Sequence, residues 1–215
     1  MTYVKASVRR PAGNPGNGIQ PKDQLVIYDV DDILYFPPRN EAGVVIEEDI
    51  VMKAGRYAIG IYLTPGTAEI SSNSDGETDA EGYTPSVKFN HPGNEQEIRE
   101  FKTNWLSKKC IVVLRYCSGK PADLIGTPCN PSKLSVSYTG SNESNTNELT
   151  FTQISKGDDI AIYRGTDTLE EPVAVVEAGA TDIDYQTDGQ YQLSAGAAKI
   201  AGVTGGSHGS VITLR

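Results

Sequence analysis

The chain has 215 residues, 38% of them hydrophobic, and a formal net charge of −9. That length suits one large all-β domain or one domain with a small extension. The acidic balance argues against a surface built to grip phosphate backbones.

Residues 1–23 hold Pro11, Gly13, Pro15, Gly16, Gly18 and Pro21 and read as an extended N-terminal arm. Such an arm is either a free tail or a strap that docks on a neighbouring subunit. The opening Met-Thr-Tyr-Val-Lys lacks the apolar stretch of a signal peptide, and no apolar run is long enough to cross a bilayer. The expectation is a protein made and folded in a cytoplasm, with no membrane partner.

Strands are predicted over 24–30 and 33–36, ended by Pro37-Pro38. Asp29, Asp31 and Asp32 fall between them and read as a turn. Residues 44–52 and 56–63 flank Ala54-Gly55, which predicts a hairpin. Residues 71–84 are polar and acidic and read as an exposed loop. Gly76 does not sit in an EF-hand, because Ser71 and Gly82 would occupy positions that need carboxylates.

A strand at 85–90 leads through His91-Pro92-Gly93 into an amphipathic helix at 94–109. Asn94 is placed as N-cap, and Glu97 three residues on makes a capping-box variant. Ile98, Phe101, Trp105 and Leu106 form one apolar stripe. Acidic residues early and Lys108-Lys109 late match the helix dipole. Asn94, Glu97, Ile98, Phe101, Trp105 and Leu106 are the residues expected to matter structurally, with Trp105 in the core.

Residues 110–117, Cys-Ile-Val-Val-Leu-Arg-Tyr-Cys, form the continuous apolar run of a strand buried on both faces. Cys110, Cys117 and Cys129 are odd in number and form no CxxC pair, so free, buried thiols are expected. Strands at 133–138 and 148–154 alternate cleanly, joined by a polar hairpin loop from Thr139 to Asn147. A further strand at 159–163 closes this section at Arg164-Gly165. The last fifty residues are poorer in aromatics and richer in Ala and Gly, with short strands at 173–177, 190–193, 198–203 and 210–214. A weak boundary near Gly165 gives three parts: arm 1–23, β domain 24–165 and C-terminal β extension 166–215. The fold class is therefore mainly β, a sandwich or barrel with one flanking helix.

Catalytic signals are absent from the sequence. His91 and His208 have no metal spacing, no HExxH or GxSxG occurs, and 202–209 lacks the Lys-Ser/Thr of a P-loop. No catalytic residue, cofactor or metal ligand is expected.

Taken in order, strand 85–90, the His91-Pro92-Gly93 turn, helix 94–109, buried strand 110–117, the loop with Gly126, Pro128 and Pro131, strands 133–138 and 148–154, and Tyr163-x-Gly165 resemble the core of tailed-phage tail tube proteins. The resemblance implies a virion structural protein, made in host cytoplasm. Its protomers would join sheets edge to edge into homo-hexameric rings that stack as a tube with other tail proteins and pass DNA without specific binding. It also implies a long loop reaching the adjacent ring, at 37–55 or 71–84. Six copies at −9 give −54 per ring, and a bore lined by part of that charge would repel DNA. The final fifty residues exceed a minimal tube domain. Ala198 to Leu214 look like β modules of phage fibre and coat proteins, which leaves a decoration, connector or fibre-base component as an alternative. A cytoplasmic β-sandwich module that binds sugar or protein through its loops is a further alternative.

Overall fold

A computed structural model describes residues 6–13 and 16–169, together with five short strands beyond them. The chain divides into two compact units, Met1–Leu169 and Glu170–Arg215.

In the first unit the strands are β1 (Pro21–Asp29), β2 (Ile33–Tyr35), β3 (Val45–Ile46), β4 (Val51–Met52), β5 (Ile59–Tyr62), β6 (Glu69–Asp75), β7 (Gly82–Pro92), β8 (Cys110–Tyr116), β9 (Ala122–Ile125), β10 (Ser132–Gly140), β11 (Asn145–Gln153) and β12 (Ala161–Tyr163), with helix α1 (Gln96–Trp105) between β7 and β8. The main sheet has two arms. One arm runs β5-β1-β8-β9-β12-β3, and the other runs β10-β11-β7-β6. A single register pair, Cys110 with Ser132, joins them. Gly126 lies beside this junction with φ +93, and a Cβ there would sit 3.2 Å from the Cys110 carbonyl oxygen, so glycine is required on both counts.

The arms pack face to face as a sandwich. Leu25 and Ile27 of β1 and Val112 and Leu114 of β8 meet Val87, Phe89, Leu149 and Phe151 from the other arm. Phe89 and Phe151 stack with centroids 6.5 Å apart. The alternate residues of β1 and β8, Val26, Tyr28, Ile111 and Val113, enter a second cluster with Ile46, Ile50 and Tyr163. Two-sided burial explains why β8 reads as an unbroken apolar run. The sheet does not close, because β5 pairs only with β1 and β6 only with β7, so the barrel alternative is not realised.

Several sequence expectations change. Residues 71–84 are not one loop. Glu69–Asp75 and Gly82–Pro92 pair in register as a hairpin, and only 76–81 connect them. The Ser and Asn content that resembles a loop belongs to the solvent-facing positions of an edge hairpin. The predicted 44–63 hairpin also does not form. Ala54-Gly55 makes a turn, with Arg56 N–H donating to Lys53 at 2.9 Å, but β4 pairs with β2 while β5 pairs with β1. The arm ends at Gln20, since Pro21 already opens β1. Of the three free cysteines only Cys110 is buried, while Cys117 and Cys129 are exposed.

The second unit has β13 (Ala174–Val176), β14 (Asp182–Asp184), β15 (Gly189–Leu193), β16 (Gly202–Thr204) and β17 (Ile212–Leu214). β13-β15-β17 and β14-β16 form two parallel sets, so strands alternate between sets along the chain. The first unit runs to Leu169, which bridges Ala58 and packs against the second cluster.

Candidate functional site

The helix is shorter than the 94–109 span that the sequence pattern predicts, and it is differently capped. Glu95 is the N-cap and makes no side-chain capping bond. Asn94 cannot cap, because its side-chain oxygen accepts from Lys102 Nζ at 2.9 Å and its carbonyl from Arg99 Nε at 2.7 Å. Glu97 is exposed in the first turn, placed to complement the dipole rather than to close a capping box. Ile98 is buried, and Phe101 and Trp105 pack half-buried on the inter-sheet cluster, stacked 5.7 Å apart. Leu106 lies outside the stripe and is 53% exposed, because the helix ends there and the chain turns toward β8.

Residues that the helix pattern did not flag hold α1 in place. Asn147 of β11 is fully buried, donates to the Gly93 carbonyl at 2.6 Å and accepts from Lys102 Nζ at 2.6 Å. Its alternation with Leu149 and Phe151 placed it on the buried face, which was the available signal. Lys108 pairs with buried Asp29 and lies over the Trp105 ring at 5.2 Å. The hydrogen bond that Lys108 donates to the Asp29 carboxylate holds the ammonium's pKa above its ordinary value.

A second polar cluster pins the chain after β12. Asp167 accepts from Tyr28 OH at 2.5 Å and pairs with Arg115, which also donates to the Gly165 carbonyl at 2.7 Å. Tyr163 OH donates to the Thr166 carbonyl and accepts from Ile50 N–H. Burial, then the Asp167 charge, raises the Tyr28 hydroxyl well above its ordinary value. Both Asp167 oxygens are thereby engaged within the protein, which suits a fastening.

Among the described residues no three His, Cys, Asp or Glu side chains come together as a metal site. His91 Nδ1–H donates to the Tyr62 carbonyl, 2.9 Å away, and the ring packs edge-on against Tyr62. His208 lies outside the described residues, as do Gly205 to Gly209. One cavity, of about 490 Å³, is an open depression along the polar side of α1, between Asn94 and Asn104. No helix among the described residues is long and apolar enough to cross a membrane.

What distinguishes the first unit is the β10-β11-β7-β6 arm. Among the described residues, β10 beyond Ser132 pairs only with β11, and β6 pairs only with β7. Each therefore presents an unpaired edge, Glu69–Asp75 on one side and Lys133–Gly140 on the other. The four strands alternate in direction, so the two edge strands run oppositely. The arm's outer face is a grid of short polar side chains. Ser71, Ser86, Thr152 and Lys133 form one row, and Glu69, Lys88, Thr150 and Ser135 form the next. Ser71 and Ser86 share a hydroxyl hydrogen bond of 3.0 Å.

No protein-family model, no curated protein and no solved structure matches the chain.

Proposed function

We propose that this chain is a tail tube subunit of a tailed phage virion, assembling through its own sheet edges into stacked hexameric rings that form a DNA conduit. The observation that carries the reading is the pair of unpaired, oppositely running edges on one four-stranded arm. Copies related by rotation keep the same up-down orientation. The β6 edge of one copy then meets the β10 edge of the next antiparallel, and every junction repeats the pattern inside each copy. Closure satisfies both edges, which would otherwise template open aggregation.

Four strands from each of six copies give 24 strands. At about 4.8 Å per strand and a tilt of about 40°, the backbone ring is roughly 45–50 Å across, which leaves an aqueous channel. The −9 charge of each copy keeps such an assembly off nucleic acid in general.

The test is negative-stain electron microscopy of the purified full chain, with mass measurement of the particles. Sixfold rings or stacked tubes are expected. A particle that stays monomeric or trimeric at high concentration overturns the reading. That outcome favours a head or tail accessory protein, such as a decoration, connector or fibre-base component. The parallel-strand second unit favours that alternative, because ring closure by the first unit does not require it.

A further inference from the structure

We infer that the outer edge of β5 is a latent self-pairing surface, fitted to the β5 edge of a second copy and held closed by two caps, one at each end of the strand. The inference does not depend on the tube reading. Leu63, just past β5, donates its N–H inward to the Asp23 carbonyl of β1 at 2.9 Å, whereas Ala58, just before β5, donates outward to the Thr168 carbonyl at 3.2 Å. By the alternation of an antiparallel pair, Ile59 and Ile61 bond to β1, and Ala58, Gly60 and Tyr62 turn their backbone groups to the outer edge. Both ends of that edge are occupied. Thr168 takes the Ala58 N–H, and Leu169 bridges Ala58 in the parallel sense. At the other end His91 Nδ1–H takes the Tyr62 carbonyl. Gly60, between the caps, is exposed and pairs with no strand on this side among the described residues.

The caps sit on the groups that self-pairing needs. Two copies of β5 related by a twofold axis at Gly60 run antiparallel, so the contact is the same patch on both. Gly60 exchanges both of its bonds with Gly60 of the second copy, and each Ala58 N–H meets the other copy's Tyr62 carbonyl. Those last two groups are the ones that Thr168 and His91 hold. The Thr168 cap is delivered by a strap, residues 164–169, whose anchors lie away from β5. Thr166 donates its N–H and hydroxyl to the two Asp49 oxygens at 2.7 and 3.1 Å, Arg164 pairs with Glu47 at 2.9 Å, and Arg115 and Tyr28 hold Asp167. The strap's own bond to the edge is a single one, so release of the anchors opens the edge. The far edge of the same arm is closed in a like manner. Asn40 Oδ1 accepts from Val44 and Val45 N–H, and Asn40 N–H donates to the Val45 carbonyl at 2.7 Å. Covering edges with loops and side chains is how β proteins keep them from pairing with other copies.

The test is residue-resolved amide hydrogen exchange over a range of protein concentrations, on the full chain and on His91→Ala/Arg115→Met, which removes both caps. In the parent, Ala58 should be protected at every concentration and Gly60 at none. In the dilute double variant Ala58 should exchange at least about tenfold faster. As concentration rises, Ala58 and Gly60 should both become protected. Tyr62→Pro removes an outward N–H without touching the bonds to β1, and added to the double variant it should abolish that gain. Pairing of β6 with β10 leaves Gly60 untouched, so the result reads the same whether or not rings form. If Arg115→Met unfolds the chain, Asp49→Ala takes its place as the strap-releasing change. A double variant that is folded by circular dichroism, yet never protects Gly60, overturns the inference. Protection of Gly60 that does not change with concentration assigns the edge to a segment of the same chain and also overturns it, as does a gain that survives Tyr62→Pro.

Discussion

Asn147 illustrates how a single polar residue can govern a junction. It is fully buried between the end of β7 and α1, and both halves of its amide are used, on the Gly93 carbonyl and on Lys102. Asn147→Ala strips partners from a carbonyl and an ammonium at once. The expected cost is about 2–3 kcal/mol, read as a shift of the urea midpoint at unchanged slope. An exposed neighbour such as Glu148→Ala should move it by less than about 0.5 kcal/mol. Cys110 gives a second residue-scale prediction. Burial pushes its thiol up to about 12, so almost none is thiolate at neutral pH. Thiol titration of the native chain should count two reactive cysteines, Cys117 and Cys129, and the third only in denaturant. Three reactive thiols in the native state would contradict the burial of Cys110.

Elements with strong periodicity were legible in the sequence because one physical effect dominated each. The unbroken run 110–116 needed burial on both faces, and it sits between two hydrophobic clusters. The alternation in 133–138 and 148–153 needed one wet and one dry face, which β10 and β11 have. What could not be read there was pairing partners. The Ala54-Gly55 turn was visible, yet a turn does not say which strand lies across it, and β4 and β5 leave in different directions. The same limit hid the edge strand β6, whose polar residues satisfy solvent and a hairpin partner at once. The helix stripe was legible up to Trp105 and misplaced at Leu106, because a helical period carries no information on where the helix stops. Trp105 is only half-buried, so Trp105→Ala should cost about 2 kcal/mol, below the range for a fully buried aromatic. Leu106→Ala should cost under about 0.5 kcal/mol in the same denaturation experiment. At the far end of the domain, Arg115 and Tyr28 fasten Asp167 and so hold residues 164–169 over the second cluster. The Asp167 side chain is only 5% exposed. Arg115→Met leaves that carboxylate without its cation, at an expected cost of about 3 kcal/mol. Limited proteolysis should then cut near Arg164, where the parent resists. A parent and variant with the same cleavage pattern would show that the strap is held by Leu169 and its apolar neighbours alone.

At the scale of the whole molecule, the proposed assembly would use a different surface of the arm from the one that holds the fold, and that makes the two separable. The inner face of β6-β7-β11-β10 holds the fold, while the outer edges of β6 and β10, beyond Ser132, pair with no strand among the described residues. A charge placed at an edge, pointing toward the interior side of the sheet, is the means by which natural β proteins prevent edge pairing. Ser74 is suited to this test. It lies on β6 opposite Tyr83, on the same side as Ile70, and it is exposed in the subunit. Ser74→Lys should change the stability of the monomer by less than about 0.5 kcal/mol, since no buried contact is lost. In a ring, the same lysine would be pressed toward the inner face of the neighbour's edge strand and would lose much of its hydration. Ring formation should therefore fail while circular dichroism and the urea midpoint stay at parent values. A lysine at Ser137, on the outward face of β10, leaves the inner side of that edge unchanged and should leave ring closure intact. Rings that form equally well with Ser74→Lys would show that the subunits join through some surface other than these two edges.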